Sequence, residues 1–336
     1  MNATETRLLI PSDISSARHG AFQDNWKVHS LSGETMGTHW NVNVSGHTSL
    51  ELAEIKNLVL QALDTVVLQM SPWEANSDLR KFHAGNPQEW IAFRPEAFRV
   101  LQRALEIAKE TDGLYDPTFA HAIDLLGFGP SESPGAAYNS PSVQQAMTAA
   151  GFGQIKTDTQ ARSVLQPGNL GLDLCSIAKG FAVDLIFESL VFAGQKNFTI
   201  EIGGEARGLG CKPSGAPWLF ALDRPRDLQI RQRLPETRIA LCNIALATSG
   251  NYLRYHIVDG QPIGHLINPK ATNEKTPLLS VSVMSQNCMD ADAYATALFL
   301  MGKEQGLIFA RKRNLAAVFL DHTGEEFSPA AETMLN

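Results

Sequence analysis

Between residues 52 and 70 the chain reads LAEIKNLVLQALDTVVLQM, where Ile55, Leu58, Leu63, Val66 and Met70 recur at the spacing of one helical face. A second helix is predicted over PEAFRVLQRALEIAKET, with Pro95 suited to a first turn and Gly113 just past the end. HWNVNVSG alternates apolar and polar residues and predicts a strand. NFTIEIGGEARGLG and YLRYHIVDGQPIGHLI read as hairpins, the second turning at Asp259-Gly260. SIAKGFAVDLIFESLVFAG and DADAYATALFLMG read as helices, the latter starting near Asp290 or Ala291. A short LDL run before the first of these looks like a strand, and GPSESPGAAYNSPSV, rich in Gly, Pro and Ser, reads as a loop.

Antiparallel pairs mixed with long helices predict an α+β fold with mixed antiparallel sheets, not a regular parallel βαβ series. Residues 1–28 read as a polar N-terminal extension and 29–336 as one domain. No internal repeat stands out.

Composition narrows the function classes. The chain has 336 residues, 44% hydrophobic and 19% charged, enough for substantial cores. A net charge of −7, with 28 Lys and Arg in no basic run, argues against a nucleic-acid binder. No stretch approaches the roughly 18–20 apolar residues of a membrane span. Four cysteines without CxxC spacing suit reduced thiols. The opening MNATETRLLIPSDISSARHG lacks the pattern of a secretory signal. The expectation is a cytoplasmic protein, or a periplasmic one where a leader precedes this chain.

Four stretches carry candidate chemistry. In NCMDADAYATALFLMG, Asp292 and Thr296 are four apart and share one helix face, so a carboxylate and a hydroxyl can meet one hard cation such as Mg²⁺. Asp is also favoured in any first helical turn by the macrodipole alone, and Asp290 is read as such a cap. In GLDLCSIAKGFAVD a helix start with Asp173, Cys175, Ser176 and Lys179 offers N–H groups and a cation to a phosphate, without P-loop spacing. An exposed surface lysine has the same appearance. TIEIGGEARGLG allows close backbone approach to a ligand but serves a tight turn equally, and it is not GxGxxG. His265 in GHLINPKAT has a side chain suited to proton transfer, as structural histidines also have.

Taken in order, ETMGTHW, MSPWEANSDLRKFH, GLYDPTFAHAIDLLGFG, LDLCSIAKGFAVD, IEIGGEARGLG, ATSGNYLRYH, GHLINP and MDADAYATALFLMG resemble the ApbE-type FAD:protein FMN transferases from about residue 31 to the end. That resemblance implies a T-fold-related α+β architecture and Mg²⁺-dependent transfer of FMN from FAD to a Thr or Ser of an acceptor flavoprotein, with AMP released. It implies that Met36, Trp73, Leu114, Tyr115 and Asp116 wrap FAD, that Asp173 and Lys179 contact the flavin nucleotide, and that Ile267 lines the flavin side. It further implies metal contacts at Ser176, through backbone oxygen, and at Asp292 and Thr296, with His265 as the base for the acceptor hydroxyl. Three departures stand out: Cys175-Ser176 where many members have two glycines, Asn268 where Asp is usual, and KAT where RTG is common. Two other readings share the residues: a FAD pyrophosphatase giving FMN and AMP, and a non-catalytic FAD-binding protein.

Overall fold

The computed structural model describes residues 6–11, 26–46, 51–131, 135–224, 234–251, 255–258, 261–268 and 278–336. The chain divides into two compact units. The first comprises Met1–Leu63, Lys179–Gly250 and Thr276–Asn336; the second comprises Asp64–Ala178 and Asn251–Lys275.

The first unit is built on an eight-stranded antiparallel sheet. Its spatial order is Glu325–Phe327, Ala316–Asp321, Leu278–Ser285, Ile244–Gly250, Glu205–Leu209, Phe198–Ile202, Thr38–Ser45 and Val28–Thr35. The alternation of HWNVNVSG is realised. Trp40, Val42 and Val44 are buried, while Asn43 on the opposite face donates to Asn41 Oδ1 at 2.8 Å and Thr199 Oγ1 at 3.2 Å. Both predicted hairpins form. In the first unit, Phe198–Ile202 pairs with Glu205–Leu209 across Gly203 and Gly204, whose φ of +60° and +108° suit glycine. In the second unit, Tyr255–Val258 pairs with Gln261–Gly264. The Asp259-Gly260 turn, Pro269 and the KAT stretch lie outside the described residues.

Part of the segment read as a polar extension is a strand. Arg7–Leu9 runs parallel to Thr237–Ala240, which pairs with Leu219–Ala221. Leu9 is fully buried with Trp218, Ile239, Leu246, Met284 and Val318.

Two helices in this unit carry the residues of interest. Cys288–Arg313 packs on the strands Ile244–Gly250 and Leu278–Ser285, breaks at Gly302 (φ +75°), and ends on a left-handed Asn314. It begins two residues earlier than expected. Asn287 is its N-cap, accepting the Asp290 N–H at 2.7 Å, so Asp290 is the capped residue and not the cap. The helix Ala178–Phe192 meets it closely at Gly180, where a Cβ would fall on the Cys288 carbonyl and 2.8 Å from the Asp292 Cβ.

The second unit has a three-stranded sheet ordered Trp90–Ala92, Ser163–Leu165, Lys156–Asp158. Around it lie the helices Asp78–Ala84, Pro95–Glu110, Ala120–Leu125 and Pro141–Ala149. Pro95 opens its helix as predicted, and the Gly113 N–H closes the other end on the Ala108 carbonyl at 2.8 Å. The stretch read as a loop ends in helix from Pro141. The LDL run is not a strand. Gly171 makes a single bridge to Phe119, and Leu172 to Leu174 are irregular because their polar groups are taken by side chains and turns.

The close approach at Gly180 yields a direct test. Gly180→Ala should destabilise the protein by about 1–3 kcal/mol in denaturant unfolding, as overpacking does. Gly153→Ala, with open space around its site, should stay within about 0.5 kcal/mol.

Candidate active site

In the first unit the start of the Cys288–Arg313 helix is held by acids. Asp184 accepts the N–H groups of Cys288 (2.9 Å) and Met289 (2.8 Å), groups with no partner inside the helix. Asp184 is itself paired with Arg207 at 2.6 Å, and the Arg207 guanidinium lies 3.7 Å over the Phe187 ring. One turn further, Asp292 accepts the Gly180 N–H at 2.9 Å, and Thr296 shares a hydrogen bond of 3.0 Å with Ser249. Asp292 and Thr296 are both buried.

Lys179 is not the freely exposed lysine that the sequence allows. Its Nζ lies 2.5 Å from Glu205 Oε1, and Glu205 is only 2% exposed. Burial works against the ammonium, but Asp292 and Glu205 outweigh it and hold Lys179 above the usual lysine pKa. Burial raises the pKa values of Glu205 and Asp292, and Lys179 opposes the rise. Burial pushes Glu205 up to about 8, so this pair of acids around one ammonium can take up a proton or a cation, and Glu205 Oε2 is buried with no hydrogen-bond partner.

This donor set suits a hard divalent cation. Among the described residues no three His, Cys, Asp or Glu side chains form a cage by themselves. A carboxylate and a hydroxyl on one helix face, with Glu205 as a second buried acid acting on them, match the few protein oxygens that Mg²⁺ takes when water and phosphate complete its shell. Met36 belongs to the same unit, in the Met36-Gly37 turn with φ of +48° and +70°. A left-handed methionine is a costly choice for a turn that glycine or asparagine fills readily.

The second unit holds the remaining candidates. Asp173 Oδ1 accepts the Cys175 N–H at 2.6 Å, and burial raises its pKa. Ser176 lies in the turn closed by the Ile177 and Ala178 N–H groups on the Leu174 carbonyl. Asp116 is committed to its own loop: Oδ1 accepts from the Thr118 N–H and hydroxyl, and Oδ2 from the Phe152 N–H. Tyr115 is a core side chain, Leu114 is half-buried, and Trp73 is 58% exposed. Ile267 packs among Phe119, Ala122, Leu126 and Val143, so its side chain is core. His265 follows directly on the Gln261–Gly264 strand, its ring 6.1 Å from that of Phe128, which stacks on His256.

Sequence reasoning missed Glu205, Asp184, Arg207, Ser249 and His83. A faint signal existed: Glu205 and Arg207 share one face of a buried strand, and their order of charge is opposite to that of Lys179 and Asp184. His83 gave none. Its Nε2 accepts the Leu172 N–H at 2.8 Å and so holds the backbone beside Asp173.

Fold and site define a two-unit α+β protein with a buried acid–lysine cluster at paired helix starts. The pattern of the ApbE family matches residues 36–319, and the chain belongs to that family. It is 32% identical to a FAD:protein FMN transferase of Haemophilus influenzae over 91% of this chain and 90% of that protein. The apo flavinyl transferase ApbE of Pseudomonas stutzeri is similar in structure, with a TM-score of 0.83 and 26% identity over 92% of this chain and 97% of the other. The flavin transferase ApbE of Vibrio cholerae has a TM-score of 0.83 and 28% identity over 92% and 99%. Among the described residues no helix is long and apolar enough to cross a membrane.

His83 makes stability pH-dependent. Burial pushes its pKa down to about 4, with His121 and Arg80 acting in the same sense. Between that value and the unfolded 6.5, the unfolded chain binds more protons, so stability falls as pH drops through this window and is complete above it. His83→Gln should remove roughly 2–3 kcal/mol of the stability difference between pH 4.5 and 7 in denaturant unfolding.

Proposed function

We propose that this protein transfers FMN from FAD to a Thr or Ser hydroxyl of an acceptor flavoprotein and releases AMP. The observation that carries the reading is the buried cluster of Asp292, Thr296, Lys179 and Glu205, which combines a cation-seeking acid face with a fixed ammonium. Membership of the ApbE family supports it. The acceptor oxygen bonds to the FMN-side phosphorus, the pyrophosphate P–O bond breaks, and AMP leaves with the electron pair. His265 takes the hydroxyl proton as the oxygen attacks. Lys179 offsets charge on the pyrophosphate oxygens.

In this reading Asp292 and Thr296 hold Mg²⁺, which when bound withdraws charge from the pyrophosphate and steadies the leaving group, and Ser176 is a candidate contact by resemblance alone. Trp73 offers an exposed indole to a flat ring, and Met36, Leu114 and Asp173 add contacts to FAD. Tyr115, Asp116 and Ile267 contribute through the backbone that they anchor. The scattered cysteines support a cytoplasmic setting.

Two variants test the assignment. Asp292→Asn keeps an acceptor for the Gly180 N–H but loses the charge. Its transfer rate, read as FMN mass on the acceptor, should fall by about 10²-fold or more, since a catalytic cation supplies several kcal/mol. His265→Asn should bind FAD normally and lose about 10²- to 10⁴-fold in transfer. Wild-type rates in either variant would remove that residue from its role, and free FMN without modified acceptor would assign the attack to water.

A further inference from the structure

We propose that Glu205 is a positioning residue for the cation site: it draws the Lys179 ammonium to itself and so keeps Asp292 open for a divalent ion. The inference rests on the reading of Asp292 as a cation ligand.

The geometry of the cluster carries it. Glu205 opens the strand Glu205–Leu209 directly after the Gly203-Gly204 turn, so its place is set by the backbone. Two residues on, Arg207 is locked to Asp184. The helix Ala178–Phe192 and this strand are therefore tied at two points of opposite polarity, Lys179 to Glu205 and Asp184 to Arg207. Lys179 directly precedes Gly180, whose N–H donates to Asp292 at 2.9 Å, so Asp292 and Glu205 are two acids set beside one ammonium. An ammonium resting on Asp292 would occupy the position that an ion requires and would repel it. At 2.5 Å, Glu205 holds that ammonium instead.

The second oxygen of Glu205 accords with this role. A buried unpaired acceptor is costly. Glu205 Oε2 is buried without a partner. The residue bears that cost while its other oxygen restrains the lysine.

The test is Mn²⁺ binding to the full chain without FAD, followed by the electron paramagnetic resonance signal of the free ion. Glu205→Gln should weaken binding by about tenfold or more, within the range for groups that orient metal ligands. Adding Lys179→Met should restore the affinity to within about threefold of wild type, because the competing ammonium is gone. Unchanged affinity in Glu205→Gln, with only a lower unfolding temperature, would overturn the proposal. So would failure of the double variant to recover, which would mean that Glu205 acts by its own charge. Glu205→Asp, which keeps the charge but retracts it by one methylene, serves if Glu205→Gln does not fold; weakened binding recovered by Lys179→Met is again expected, and unaltered binding overturns the proposal. Asp292→Asn is run beside them. If it binds Mn²⁺ as wild type does, the reading of Asp292 has failed, and not the role of Glu205 alone.

Discussion

Two helices approach so closely at Gly180 that no side chain fits between them, and the arrangement of the first unit follows from that contact. With no Cβ in the way, the Gly180 N–H reaches the Asp292 carboxylate, which brings an acid from one helix against the opening turn of another. The free N–H groups of a helix start favour anions, and both helices use this. Asp292 serves the helix Ala178–Phe192, and Asp184 of that helix serves the start of Cys288–Arg313. Each helix lends the other a carboxylate.

Charge then sets the chemistry. Asp184 is neutralised by Arg207, a pairing that leaves a structural acid. Asp292 and Glu205 both act on one lysine, and burial pushes Glu205 up to about 8, so the cluster can take up a proton or a cation. Uncompensated acid in a buried place is unfavourable unless a proton or a cation arrives, and hydroxyl oxygen from Thr296 biases that choice toward a hard ion. The first unit thus carries one neutralised pair, Asp184 with Arg207, and one acid–lysine cluster, which is the proposed ion site.

Much of this was legible in the sequence. The helices Leu52–Met70 and Pro95–Glu110 declare themselves because one face is apolar at helical spacing, and both hairpins follow from alternation around Gly-Gly and Asp-Gly. Arg7–Leu9 was hidden because three apolar residues cannot reveal a partner strand more than 220 residues away. LDL has the pattern of a strand, but its backbone is claimed by His83, Asp173 and Pro117. The face shared by Asp292 and Thr296 could be read from spacing, whereas Glu205 could not, since only the folded sheet brings it to Lys179. Loop acids were also opaque: Asp116 looks available in sequence and is spent on local N–H groups in the fold.

The central proposal is that the acid cluster beside Lys179 is a seat for a divalent ion held by Asp292 and Thr296. Anomalous diffraction from crystals grown with Mn²⁺ and FAD tests it most directly. The account predicts a single strong peak about 2 Å from an Asp292 carboxylate oxygen and the Thr296 hydroxyl. A well-occupied Mn²⁺ elsewhere on the chain, with that position empty in the presence of FAD, would contradict it.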